Sequence, residues 1–296
     1  MSQREEAGKV GSDTPAPTGA ARRRRRLSDE QTEQRMLSAA LDMVNSAGLT
    51  VSLDHISFED VIRDAGVSRS AVYRRWPYKD LFFSDLLKAL ARGASPAIGG
   101  GNADAVENVR QIMLDHLDWL RTPDTRRALA AEVLRQGARS EFETFHRSAE
   151  WRTYFALQAT FLSLPAGDLR TEVEQALAAS DAALNTRVAA AYQRVTELIG
   201  LRLRPELDTS FHDIATLATA IIRGLVVMAP ANPDITTRHV HANPFAAPDA
   251  ADWSQPALGM AAVVMTFVEP DPAVTWDDDR IAAVRATLES PTWTMT

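Results

Sequence analysis

Much of the recognisable chemistry in this chain sits in eight residues, the run SRSAVYRR from Ser68 to Arg75. Placed on a helix, Ser68, Arg69, Ser70, Arg74 and the Tyr73 hydroxyl remain available on a polar side, while Ala71, Val72 and part of Tyr73 turn inward. An arginine there can grip a guanine edge through two N–H groups, a serine hydroxyl suits several base edges, and a tyrosine or lysine can hold a phosphate. The other reading of these residues is a solvated polar face, since helix pairs joined by a glycine turn also occur in proteins that never touch DNA.

Such a helix needs neighbours to hold it. Upstream, SFEDVIRDAG sets Phe58, Val61, Ile62 and Ala65 on one helical face and ends in Gly66, which permits the positive φ of a tight reversal. Ser68 is then placed to cap the second helix. Trp76-Pro77 stops it, and Pro77 suits the first turn of a following helix that carries Leu81, Phe82, Leu86, Leu87 and Leu90 inward. An earlier helix opens at Ser28-Asp29-Glu30, repeats Met36, Leu37, Ala40, Leu41 and Val44 on one face, and closes at Gly48.

The ordered run GVSRSAVYRRWPYKDL, Gly66 to Leu81, resembles the signature of the TetR family of transcriptional regulators. In both, a Gly-Val turn precedes a small polar helix start, followed by Tyr73, a basic residue, the aromatic Trp76, Lys79 and Leu81. The resemblance spans residues 30 to 90, with a connecting loop, TVSLDHIS, a few residues longer than the family's. It implies that Ser68, Arg69 and Ser70 face bases with Arg74 nearby, and that Tyr73 and Lys79 contact phosphate. Ser57 would open the preceding helix, whose backbone amides meet a phosphate. It further implies a homodimer on a pseudo-palindromic operator, acting as a ligand-responsive repressor with a small lipophilic effector. The alternative is a DNA binder of the same type that answers to a protein partner or to no effector.

Composition agrees with a small head on a larger body. The 296 residues, 45% of them hydrophobic, suffice for two domains. Residues 1–27 read as a disordered basic arm, 28–92 as a helix-turn-helix domain and 93–296 as a helical effector-binding and dimerisation domain, an all-α architecture. The net charge of -7 conceals an asymmetry: residues 22–92 carry thirteen Lys or Arg against ten Asp or Glu, and residues 93–296 seventeen against twenty-six. Within the run Arg22 to Arg26, the guanidinium groups of Arg24, Arg25 and Arg26 are suited to a narrow minor groove, a nonspecific phosphate anchor or a solvated tail.

Beyond the interruption ARGASPAIGGGNADA the periodicity predicts helices over 106–121, 123–139, 142–162, 169–201 with a break, 211–228, 257–268 and 277–288, with a loop over 229–256. No alternating strand pattern of any length is present. Phe211 to Met228 is apolar on more than one face, which fits either an internal core helix or a four-helix dimer interface shared with 257–268. Met113, Trp119, Trp151 and Phe155, with His116 to orient a polar group, have the composition of a lipophilic pocket and equally that of a core.

Other chemistry finds little support. Cysteine is absent, and with it disulfides and thiolate chemistry. No HExxH, GxSxG, GxGxxG or phosphate-loop motif occurs, so no enzyme, catalytic residue or cofactor is expected. His239-Val240-His241 near Asp234 lacks a third placed ligand, so no metal is expected either. The opening residues have no apolar leader core and no uncharged apolar run reaches about eighteen residues, which predicts a cytoplasmic chain without a membrane segment.

Overall fold

A computed structural model describes residues 27–47, 56–92 and 103–295, and helix dominates them. The first helix, α1 (Asp29–Ala47), begins where Ser28 and Gln31 cap one another. The Ser28 hydroxyl accepts from the Gln31 amide and the Gln31 side-chain oxygen from the Ser28 amide, each at 3.1 Å. Two N–H groups that the helix leaves open are thereby satisfied. Thr32, Met36, Ala40 and Val44, four residues apart, form its fully buried stripe. Gly48, the expected stop, lies outside the described residues.

α2 (Phe58–Ala65), α3 (Arg69–Arg75) and α4 (Lys79–Arg92) follow. Their apolar faces converge on Phe82, against which Phe58 lies at 5.1 Å and Trp76 edge-on at 5.2 Å between ring centroids. Pro77 falls before α4 rather than in its first turn: it holds Trp76 out of helical geometry, at φ -127 and ψ 89, and a bend at Pro77 and Tyr78 leads into Lys79.

The remaining helices are α5 (Ala103–Asp115), α6 (Pro123–Arg147), α7 (Ala149–Phe161), α8 (Asp168–Leu198), α9 (Phe211–Met228), α10 (Asp234–Thr237), α11 (Gln255–Phe267) and α12 (Asp278–Glu289), with short 3-10 turns at Leu117–Arg121 and Pro205–Leu207. α6 is central, packed against α5, α9 and α11, while α8 lies between α9 and α4. Where a break near residues 139–142 was expected, α6 runs straight through. Gly137 is accommodated without a break, Ala138 and Phe142 are buried one turn apart, and Arg139 pairs with Glu143 at 3.1 Å. The break falls at Ser148, which ends α6 and caps α7 by accepting from the Trp151 amide at 3.2 Å. α8 is likewise unbroken over 31 residues, as its alanine-rich middle favours.

The expected loop over 229–256 contains α10 and two strands. β2 (His239–Ala242) pairs antiparallel with β3 (Ala251–Ser254), His239 opposite Ser254; β1 (Leu201–Leu203) pairs antiparallel with β4 (Val268–Pro270). Three- and four-residue strands are too short for alternation to show in sequence.

Among the described residues α9 is the one helix long and apolar enough to cross a membrane. One face of it packs into the protein: Ile214, Ala218, Ile222 and Val226 are buried, and Arg223 pairs with Asp181 of α8 at 3.0 Å.

Of the glycines with positive φ, Gly66 and Gly200 hold it in different surroundings. Gly66, at φ 63, turns α2 into α3 with open space where a Cβ would stand, whereas at Gly200, at φ 67, an added Cβ would meet the Trp276 indole nitrogen at 2.6 Å. Gly66→Ala is expected to cost about 1–2 kcal/mol, the backbone term alone, and Gly200→Ala about 1–3 kcal/mol more through overpacking. Urea unfolding of both variants checks the order; equal losses would mean that the indole yields freely.

Candidate nucleic-acid interface and core cavity

The helix-turn-helix is positioned from both ends. Ser57 caps α2 by accepting from the Asp60 amide, and Ser68 caps α3 by accepting from the Ala71 amide, each at 3.3 Å. The Gly66 amide donates to the Arg63 carbonyl at 3.1 Å, closing the turn. Val72 is fully buried beneath α3, and Trp76 behind it is buried as well, its indole N–H donating to Asp85 of α4 at 2.9 Å. Ser68, Arg69, Ser70, Tyr73, Arg74 and Lys79 are all exposed.

These exposed donors are engaged. Glu59 of α2 takes the Arg69 guanidinium at 2.6 Å through one oxygen and the Tyr73 hydroxyl at 3.1 Å through the other. Donating that proton to Glu59 raises the Tyr73 pKa, so the phenol stays neutral and a donor. Arg74 bonds Asp29 at the start of α1. Arg75, not singled out in the sequence, lies over the Trp76 ring at 5.2 Å and reaches Glu33 at 3.0 Å and Asp85 at 3.5 Å. Lys79 has no ion-pair partner among the described residues. Ser68, Arg69, Ser70 and Arg74 share one open concavity of about 650 Å³ between the start of α1 and the α2–α3 turn; Ser57 and Lys79 begin neighbouring helices outside it. Arg24, Arg25 and Arg26 lie outside the described residues.

A cavity of about 570 Å³ opens within the larger helical part, walled by α5, α6, α8 and α11. Of the five residues expected to form a pocket, Trp151 lines it. Met113 and Phe155 are buried elsewhere in the core, and His116 and Trp119, rings 4.5 Å apart, border a separate recess of about 170 Å³ under the β2–β3 pair. Valines, alanines, Leu134 and Met260 supply half of the residues in the large cavity's wall, and such residues look like ordinary core in sequence. Its polar lining includes Glu141, Tyr192, Arg187 and Thr144. Burial pushes the Glu141 carboxyl up to about 7 against the pull of Arg223 and raises the Tyr192 phenol, with the Glu141 charge adding to the latter.

His239 and His241 stand on β2, exposed, with His241 Nδ1 2.8 Å from Asp252. No group of three possible metal ligands is assembled among the described residues.

No family model matches the chain, and no curated protein matches it either. Among solved structures it is similar to "the crystal structure of a putative transcriptional regulator from Rhodococcus sp. RHA1", at 14% identity and a TM-score of 0.35, over 67% of this chain and 86% of that one. An overlap that loose has no bearing on function.

If Glu59 restrains both α3 donors, Glu59→Gln frees them at little cost to the fold, because the residue is exposed. Affinity for duplex DNA in a fluorescence-anisotropy titration is expected to rise about two- to fivefold, the worth of an exposed ion pair. Unchanged or weaker binding would show that Glu59 does not compete with nucleic acid.

Proposed function

We propose that the chain is a DNA-binding transcriptional regulator of the TetR type, a homodimer whose α3 helices enter successive major grooves. What carries this reading is α3 itself: a capped, two-turn helix fixed underneath by Val72 and Trp76, with Arg69, Ser70, Tyr73 and Arg74 all on its exposed side. A helix so held presents donors to base edges at little further entropic cost. Arg69 and Ser70 are assigned to bases and Tyr73 and Lys79 to phosphates. Ser57 places the first amides of α2 near the backbone.

The dimer reading rests on α9 and α11. Leu217, Val227 and Met228 of α9 are exposed at 46%, 58% and 54%, beside Gly224, and Ala262 and Thr266 of the neighbouring α11 are exposed too. The two helices pack closely, since a Cβ on Gly259 would stand 3.0 Å from Ile221. Their combined outer face is a ready half of a four-helix interface about a two-fold axis. The volume of the core cavity lies within the usual span for small-molecule sites, and an effector held there acts as a release signal if it favours the dimer conformation with mismatched helix spacing.

Selecting bound duplexes from a random pool is expected to yield a pseudo-palindrome with half-sites about 34–36 Å apart. On that site Arg69→Ala should relax the preference at one base position by roughly tenfold, and Lys79→Ala should weaken all sequences alike while lowering the salt slope by about 1. Leu217→Glu with Val227→Glu, both at exposed positions, should sediment as a monomer and lose the operator. Failure to recover any symmetric site would sink the proposal.

A further inference from the structure

We propose that the core cavity takes a lipophilic cation, a mostly hydrocarbon molecule with one ammonium group seated on the carboxylate of Glu141. This rests on the reading of the cavity as an effector site and names the chemistry of its ligand.

Glu141 stands in the wall of a cavity otherwise lined largely by Val106, Val109, Val133, Leu134, Val188 and their like. No hydrogen bond joins its carboxyl to any described residue; the cationic group acting on it is Arg223 of α9, already committed to Asp181 at 3.0 Å. A carboxyl in an apolar cavity wall without a protein donor is left to whatever enters the cavity to meet it. Tyr192 of α8 faces the same space and lies near enough for the Glu141 charge to act on its phenol, and it too has no hydrogen bond to a described residue. An anion and an aromatic ring beside one apolar void, with Trp151 and Phe145 also in the wall, are the surroundings that stabilise a desolvated cation.

The other charged group of the lining, Arg187 on α8, does not act on Glu141. From α6 itself Ser140 and Thr144 add hydroxyls, from α5 Asn108 adds an amide, and α11 contributes only Met260 and Val264. Burial holds Glu141 near neutral pH, so an arriving cation both binds the carboxylate and draws it into the ionised form. A neutral ligand gains nothing from that ionisation, and an anion is repelled by it.

The test uses the full chain and three probes of one shape: 4-phenylbutyl-trimethylammonium, its carbon isostere with a tert-butyl group in place of the ammonium, and 5-phenylpentanoate. Binding is followed by quenching of tryptophan fluorescence, Trp151 being in the wall. The ammonium probe is expected to bind at least about tenfold more tightly than the isostere, with the preference lost in Glu141→Gln while the isostere binds both proteins equally. Because this probe is permanently charged, its affinity should rise about tenfold from pH 6 to pH 8 as a carboxyl of pKa about 7 ionises, and should be flat in Glu141→Gln. Equal binding of ammonium and isostere would overturn the cation assignment and leave the effector cavity standing. Tightest binding of the carboxylate would overturn it in favour of Arg187. If none of the three binds, the effector reading of the cavity falls together with this inference.

Discussion

The orientation of α3 depends on the clasp that Trp76 makes at its C-terminal end. The indole is fully buried, stands edge-on to Phe82, donates to Asp85 and carries Arg75 on its outer face. A seven-residue helix has too few internal hydrogen bonds to persist alone. Its direction is therefore borrowed from its neighbours, from α1 and α2 through Val72, Tyr73 and the pairs Arg74–Asp29 and Arg69–Glu59, and from α4 through Trp76.

α4 is in turn tied to the body of the molecule. Lys88 bonds Glu172 of α8 at 2.6 Å, which with Asp85 raises its pKa, and the Ser180 hydroxyl of α8 donates to the Ala91 carbonyl at 3.2 Å. The next residue of α8, Asp181, collects Tyr154 and Gln158 of α7 and Arg223 of α9. Arg223 is also the cation whose field reaches Glu141 in the cavity wall. A change of charge in the cavity is thus felt by a guanidinium whose other obligation is to the helix that holds α4. Burial and the bond to Asp181 raise the Tyr154 phenol, so this cluster stays protonated there and keeps its geometry across the neutral range. Contact of this kind supplies a physical route between the cavity and α3; a bias of its equilibrium needs a ligand with unequal affinity for two states.

What was legible in the sequence was local. Ser28, Ser68, Gly66 and the stripe through Met36, Ala40 and Val44 act within a few residues of themselves, so their spacing alone reveals their roles. The missed features depend on distant partners. Glu59 restrains Arg69 and Tyr73 from ten and fourteen positions away, and the cavity is bounded by residues from 105 to 295. Met113, Trp119 and Phe155 were plausible pocket residues by type, but a void is defined by what fails to fill it, and no side chain announces that in sequence. Glu141 carried a weak sign, an acidic residue within the buried pattern of Ala138, Phe142 and Phe145, hidden because the helix was expected to break there.

The pairing of the basic residues bears on how such a surface would discriminate. Arg63 is held by Asp60 and Asp64, Arg69 by Glu59, Arg74 by Asp29, and Arg75 by Glu33 and Asp85. An anion that approaches these guanidinium groups competes with a carboxylate for them. A phosphate alone replaces one exposed ion pair with another and gains little. A guanine edge offered together with flanking phosphates gives geometry that a single glutamate cannot match, because two N–H groups of one plane are met at once. On the proposed DNA-binding reading, the acidic partners would lower affinity for nucleic acid in general more than for a fitted site. The ratio between the two, rather than raw affinity, is what a regulator searching a genome requires.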